Sequence, residues 1–135
     1  MKLRIHGNSL RLRLSQSEVA QFSKTGFVED NVHFAADASF SYTLESNARL
    51  SAPQALYSNG SLRVQVPGAD ASDWVRSDRV GISGKQPLDS GQCLAILVEK
   101  DFQCLHGDEE RDPDAYPNPL EEPPGGERNS KRAPV

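Results

Sequence analysis

The sequence is poor in the features that define several classes of protein. Its 135 residues include only two cysteines, Cys93 and Cys104, which are too few for a disulfide-stapled domain. No apolar run approaches the roughly 18–20 residues of a membrane-spanning helix. The first residues alternate basic and apolar side chains, so they lack the apolar stretch of a secretory signal. We therefore expect a soluble cytoplasmic protein that does not interact with membranes.

Motifs for cofactors, metals and catalysis are missing as well. The chain contains neither a GxxxxGK[ST] nor a GxGxxG phosphate loop, and the nearest stretch, Gly81–Gly84, is typical of a turn. His6, His33 and His106 are too scattered for zinc-ligand spacing. We therefore predict no cofactor, no metal and no catalytic residues, and we expect Cys93 and Cys104 to be buried, inert thiols.

Composition changes near residue 105. The last thirty residues hold six of the nine prolines and an acidic run, with little to bury beyond Tyr116 and Leu120. We predict one domain over residues 1–105, a docked or semi-ordered extension over 106–120, and a disordered acidic tail over 121–135.

The N-terminal residues predict a β-hairpin followed by a helix. Residues 2–6 and 9–14 alternate apolar and polar side chains, and Gly7-Asn8 between them suits a two-residue turn. Ser15-Gln-Ser-Glu18 is a capping box, which predicts a helix from about residue 16 to 24 that ends at Gly26. This helix is expected to bury Val19, Ala20 and Phe22.

The remaining apolar patterns mostly predict strands. The candidate strands are 27–35, 40–44, a weaker 48–52, 62–66, 80–82 and 93–102. Asp70 is expected to begin a short helical turn that carries Trp74 into the core. The predicted fold class is α+β, with a mostly antiparallel sheet and one N-terminal helix, and a barrel is one form this sheet could take. No internal repeat is apparent.

Four cations share one face of the predicted hairpin. A Gly7-Asn8 turn sets Arg4 opposite Arg11 and Lys2 opposite Arg13. Like charges directly opposite each other destabilise a strand pair, so we expect something to neutralise them.

The sequence is compatible with three ways of neutralising these cations. Solvent and salt could screen the charges if the face is exposed. Carboxylates of Glu99 and Asp101 on the last strand, or of Glu45 on another, could form an ion network. An anionic ligand could bind the cluster, because guanidinium groups suit phosphate and carboxylate. A sheet that curls with this face inward would combine the last two in a polar pocket.

Several phrases resemble a family of small, uncharacterised bacterial proteins. They are Lys2-Leu-Arg-Ile, Gly7–Ser15, Leu97–Phe102 and Cys104-Leu105. The resemblance covers roughly residues 1–120. It implies a bacterial cytoplasmic protein and no known activity.

A second, local resemblance covers residues 7–34. Gly7-Asn-Ser-Leu-Arg-Leu-Arg-Leu, followed by a helix, Gly26 and a strand, is similar to the first half of the swapped-hairpin domains of AbrB/MazE-like regulators and antitoxins. The resemblance implies DNA binding across a dimer, with Arg11, Arg13 and Arg4 as phosphate contacts.

These observations favour a non-catalytic binding or interaction module. Its basic hairpin face would engage an anionic small molecule or an acidic protein partner. The candidate ligand-binding residues are Lys2, Arg4, Arg11, Arg13, Glu99 and Asp101. DNA binding is the alternative, and an enzyme that uses Glu99 and Asp101 beside the arginines is the third hypothesis. The sequence does not fix the oligomeric state.

Overall fold

Residues 1–102, the part of the chain that the computed structural model describes, form eight strands and two helices. The strands are β1 (Lys2–Ile5), β2 (Ser9–Leu14), β3 (Phe27–Ala35), β4 (Ala38–Asn47), β5 (Gln54–Ser58), β6 (Ser61–Pro67), β7 (Gly81–Pro87) and β8 (Cys93–Lys100). The helices are α1 (Gln16–Thr25) and α2 (Gly68–Arg76). The predictions for residues 106–120 and 121–135, and for Cys104, lie outside the described residues.

Local sequence signals explain the first three elements. Gly7 adopts a φ of 57° in the turn between β1 and β2, a conformation that glycine reaches without steric strain. The predicted capping box is present, since the Ser15 hydroxyl accepts from the Glu18 N–H and the Glu18 carboxylate accepts from the Ser15 N–H. Gly26 ends α1 with a φ of 72°. Phe22 is buried as predicted, whereas Ala20 is exposed because it faces away from the sheets.

The strands form two four-stranded sheets. Sheet I has the order β1-β2-β8-β7 and sheet II the order β3-β4-β6-β5. In each, two antiparallel hairpins meet through a central parallel pair, β2 with β8 and β4 with β6. The sheet is therefore mostly antiparallel, as predicted, but a closed barrel is wrong for the described residues, because no backbone ladder joins the two sheets. A side-chain bridge links the two sheets: Gln86 Oε1 on β7 accepts from the Ala55 N–H on β5, and Gln86 Nε2 donates to the Ala55 carbonyl.

The order of elements repeats within the chain. A hairpin, a helix and a second hairpin occupy β1 to β4, and the same series recurs from β5 to β8. Each sheet takes one hairpin from each half, so the two halves exchange hairpins. This is a repeat of structural elements, which the sequence pattern did not predict. The halves share a pattern more than identities, although β2 begins Ser-Leu-Arg-Leu and β6 begins Ser-Leu-Arg-Val.

The core lies where the two central strand pairs and the two helices meet. Leu12 on β2 is the register partner of Val98 on β8, and both side chains are buried. Leu44 and Val64 are the corresponding buried partners in sheet II. Phe22 of α1 and Trp74 of α2 pack edge to face with ring centroids 5.9 Å apart. Both halves therefore build one core, and Trp74 is a core residue as predicted.

Several elements differ from the sequence-based expectations. The stretch Gly81–Gly84, expected to be a turn, is the first part of strand β7. The second helix is a full α2 rather than a short turn, and Pro67, not Asp70, occupies its N-cap position. No side-chain hydrogen bond caps the start of α2. The weak strand expected at 48–52 is instead a turn, and the chain becomes extended only at Gln54, after Pro53. β8 ends at Lys100 rather than at residue 102.

Two further features concern solvent and membrane exposure. Cys93 is exposed and carries a free thiol, so its expected burial is wrong; it lies at the beginning of β8, outside the core. No helix in the described part of the chain has the length and apolar content needed to cross a membrane.

The candidate anion-binding face of sheet I

The four predicted cations lie together on the outer face of sheet I. Arg4 is the register partner of Arg11, and Lys2 is the partner of Arg13, as the hairpin turn predicted. Leu12 and Leu14, which alternate with Arg11 and Arg13 on β2, point to the opposite side and are buried in the core. The Arg11 and Arg13 side chains are 37% and 34% exposed, so the face points to solvent. An inward-facing pocket is therefore wrong.

Glu99 supplies the first counter-charge. β8 runs parallel to β2, and its register places Glu99 beside Arg13. The Glu99 carboxylate oxygen Oε2 accepts from Arg13 Nε at 2.8 Å and forms an ion pair with Arg11 Nε at 3.0 Å. One carboxylate that is 13% exposed thus holds two guanidinium groups that the hairpin forces together.

Asp101 supplies the second counter-charge, just beyond the end of β8. Its backbone N–H donates to the Leu14 carbonyl at 2.8 Å, which keeps the chain beside β2. Its carboxylate lies 2.9 Å from Lys2 Nζ and 3.9 Å from Arg13 Nη1. The hydrogen bond and charge of Lys2 lower the pKa of the Asp101 carboxyl. Glu99 and Asp101, two of the three carboxylates expected to neutralise the cations, are therefore in contact with them.

Among residues 1–102, cations outnumber carboxylates on this face. Lys85 on β7 is the register partner of Ala95 and lies on the same face, so five basic side chains meet the two carboxylates of Glu99 and Asp101. Within residues 1–102, Arg4 makes no ion pair and its side chain is exposed. Lys2 is 74% exposed although it contacts Asp101. The surplus positive charge therefore lies on the edge strands, with two cations on β1 and one, Lys85, on β7.

Sheet II carries a related arrangement, in which the arginine is paired with a glutamate of the same sheet. Glu45 on β4 corresponds to Glu99, and Arg63 on β6 corresponds to Arg11, by their positions in the repeated pattern. The Arg63 guanidinium donates two hydrogen bonds of 3.1 Å to Glu45, and Gln65 Nε2 donates a third at 2.8 Å. The hydrogen bonds from Arg63 lower the pKa of the Glu45 carboxyl. Glu45 therefore does not neutralise the hairpin, because it belongs to the other sheet.

Arg63 and Gln65 are the counterparts of Arg11 and Arg13, a correspondence not predicted from the sequence. The signal that could have found it is the recurrence of Ser-Leu-Arg followed by an alternating apolar pattern, at residues 9 and 61. The pattern was obscured because Gln65 stands at the position that Arg13 occupies in the first half.

Two other ionic clusters lie among residues 1–102, where the Met1 amino group meets Glu18 and Asp30 and where Arg79 meets Asp70 and Asp73; in neither do cations outnumber carboxylates. A cavity of about 130 Å³ between the end of α1 and the start of α2 is lined by small and apolar residues, among them Ser23, Ser46 and Gly68, and by no charged side chain. Among residues 1–102, no three His, Cys, Asp or Glu side chains are placed to hold a metal ion. The outer face of sheet I is therefore the candidate site.

Comparison with known proteins identifies a family without an assigned activity. Residues 1–120 match the model of a family of unknown function, DUF7009, and the chain belongs to this family. The family match extends past the described residues. No curated protein and no solved structure matches the chain.

Proposed function

We propose that this protein is a non-catalytic binding module and that the outer face of sheet I binds an anionic ligand, above all an acidic surface of a protein partner. The observation that carries the proposal is the surplus of cations on β1, where Arg4 has no ion-pair partner within residues 1–102. The proposal includes a bacterial, cytoplasmic setting, which the resemblance in the sequence implies.

The physical argument concerns the cost of keeping this charge in place. Arg4 and Arg11 are directly opposite in register, an arrangement that costs a strand pair some stability. Screening by salt reduces that cost on an exposed face but does not create a favourable interaction. A bound anion would convert the repulsion into charge-assisted hydrogen bonds. An open, outward-facing sheet suits an extended partner surface better than it suits an enclosed small molecule.

Thermal unfolding against a panel of anions tests the proposal. The panel contains phosphate, pyrophosphate, nucleotides, dicarboxylates, an acidic peptide and a DNA duplex, all at one ionic strength. A ligand at about one hundred times its dissociation constant stabilises the folded state by about 2.7 kcal/mol. For a domain of this size the midpoint should rise by about ten degrees.

Matched variants locate the effect. Arg4→Ala should lose most of the ligand-induced shift, whereas Arg49→Ala should keep it. Arg49 is an exposed arginine outside sheet I, and its side chain makes no ion pair among the described residues. A flat panel, or equal losses in both variants, would refute the proposal.

DNA binding is the second candidate, and the exchanged hairpins favour it. The local resemblance implies a swapped-hairpin unit that meets DNA as a dimer, and here two hairpin–helix–hairpin halves exchange hairpins within one chain. Sheet II opposes its single Arg63 with Glu45, so a second basic surface is missing where a symmetric DNA site would need one. A midpoint shift with the duplex alone, falling steeply with salt, would favour DNA.

The enzyme hypothesis receives less support from the geometry. A general acid at neutral pH needs a raised pKa, but Lys2 lowers the pKa of the Asp101 carboxyl. Glu99 contacts Arg11 and Arg13 at once, an arrangement that suits a structural counter-charge.

A further inference from the structure

We propose that the open edge of β1 accepts an extended acidic peptide of a partner protein, which adds to sheet I as a strand and sets its carboxylates opposite Lys2 and Arg4. This inference rests on the proposed function, and it specifies the partner and its mode of binding.

The charges of sheet I point to this edge. β2 has β8 on one side and β1 on the other. On the β8 side, Glu99 provides the counter-charge for Arg11 and Arg13. On the far side of β1, no strand follows among the described residues. The counter-charge that Arg4 lacks would therefore come from beyond β1.

The backbone of β1 offers hydrogen-bonding groups at the same edge. His6 and Ser9 exchange two backbone hydrogen bonds, of 3.2 and 3.1 Å, across the turn. Because hydrogen-bonded and non-hydrogen-bonded pairs alternate in an antiparallel ladder, Ile5 and Leu3 belong to non-hydrogen-bonded pairs. Their N–H and carbonyl groups point away from β2. An added strand would bond to these groups, as peptides do when they extend a sheet.

The side chains of β1 define the sequence that such a strand would need. Lys2 and Arg4 lie on the outer face, and opposite-charge pairs directly across two strands stabilise a sheet. Ile5 lies on the inner face and is 62% exposed, which leaves apolar surface to cover. Successive side chains of a strand alternate between faces. The ligand should therefore carry Asp or Glu at every second position, with apolar residues between them.

The equivalent edge of sheet II lacks these features. β5 is the edge strand there, and Gln54 and Leu56 are the register partners of Gln65 and Arg63. They occupy the positions of Lys2 and Arg4 in the repeated pattern. An acidic strand would therefore find no cation on β5, which restricts the site to sheet I.

Binding of two synthetic peptides to the full-length protein tests the inference. One peptide carries four acidic residues at alternate positions separated by valine or threonine; the other has the same composition with the four acids consecutive. Consecutive acids in an extended chain place only half of the carboxylates on one face. Because each exposed ion pair contributes modestly, we expect the alternating peptide to bind about 2- to 30-fold more tightly in fluorescence anisotropy.

Variants and amide hydrogen exchange distinguish binding at the edge of β1 from binding on the outer face of sheet I. Arg4→Ala should remove the preference for the alternating peptide, whereas Lys85→Ala, on the opposite edge strand β7 of the same sheet, should retain it. Bound peptide should slow amide exchange at Ile5, which a ligand lying only on the outer face would not do. This exchange measurement uses the unmodified protein, so it does not depend on whether any variant folds.

The outcomes distinguish this inference from the proposed function. If anions raise the unfolding midpoint but the two peptides bind equally and Ile5 exchanges at an unchanged rate, the edge assignment is wrong and the proposed function stands. If no anion or peptide binds, both fail.

The chain itself carries acids at alternate positions 108, 110, 112 and 114. A more than tenfold gain in peptide affinity in the variant D108N/E110Q/D112N/D114N would overturn the assignment to a partner. An unchanged affinity supports it.

Discussion

The two sheets of this protein have the same strand arrangement but carry different charge on their outer faces. In sheet II, Glu45 receives hydrogen bonds from Arg63 and Gln65, and one carboxylate meets one guanidinium. In sheet I, Glu99 meets both Arg11 and Arg13, and two further cations follow on β1. Both sheets carry a glutamate at this register position, but only sheet I sets more cations than carboxylates on its outer face among residues 1–102. This difference makes sheet I the better candidate for binding.

The difference originates in the edge strands. β1 and β5 occupy the same place in the two sheets, but the former presents Lys2 and Arg4 where the latter presents Gln54 and Leu56. The β5 edge carries no charged residue and therefore needs no counter-charge. A cationic edge that lies opposite further cations is stabilised when an anion arrives.

The largest expected effect concerns the core that both halves share. Phe22→Ala and Trp74→Ala should each lower the free energy of unfolding by about 3–5 kcal/mol, because each removes a buried aromatic ring at an equivalent place. Urea unfolding should give one transition for both variants. Phe34→Ala, at a ring that is 72% exposed, is the matched control and should change stability little. Two separate transitions would contradict a common core.

A smaller effect compares the two glutamates. Glu99→Gln should cost about 1–3 kcal/mol and Glu45→Gln about 1 kcal/mol, because the former removes the charge of a carboxylate that Arg11 and Arg13 share. The gap should narrow in high salt, which screens repulsion among the cations of sheet I. Glu99→Gln should also bind phosphate more tightly in the thermal assay, since the carboxylate no longer competes for Arg11. Equal losses with no dependence on salt would remove the distinction between the sheets.

The smallest effect concerns acid pH. The hydrogen bonds of Arg63 lower the pKa of Glu45 in the folded protein, so this group stabilises the fold above its unfolded pKa. The contribution is lost as the pH falls through the lowered folded pKa. The stability advantage of the unmodified protein over Glu45→Gln, at most about 1 kcal/mol, should therefore shrink on acidification. Urea unfolding from neutral to acid pH measures it, and an advantage that grows would show the opposite sign.

The same direction holds for Asp101, whose pKa is lowered by Lys2. Asp101→Asn should remove an acid-sensitive contribution in sheet I in the same way. Comparison with Glu45→Gln then shows whether both sheets depend on ionised carboxylates.

Local signals made the first third of the chain predictable. The Gly7-Asn8 turn fixed the pairing of β1 with β2, and the capping box fixed the start of α1, since both depend on neighbouring residues only. α2 and β5 were predicted poorly. Pro67 begins α2 without a side-chain cap, and β5 becomes a strand because it pairs with β6.

The sequence by itself determined that four cations share one face of a hairpin, because a two-residue turn and a period of two leave no other register. Only the tertiary structure decided that the face is exposed and which carboxylates meet it. The parallel pairing of β2 with β8 joins residues that are more than eighty positions apart, and nothing local specifies that partner. The exchange of hairpins between halves follows from burial of one shared core, which no segment can form alone.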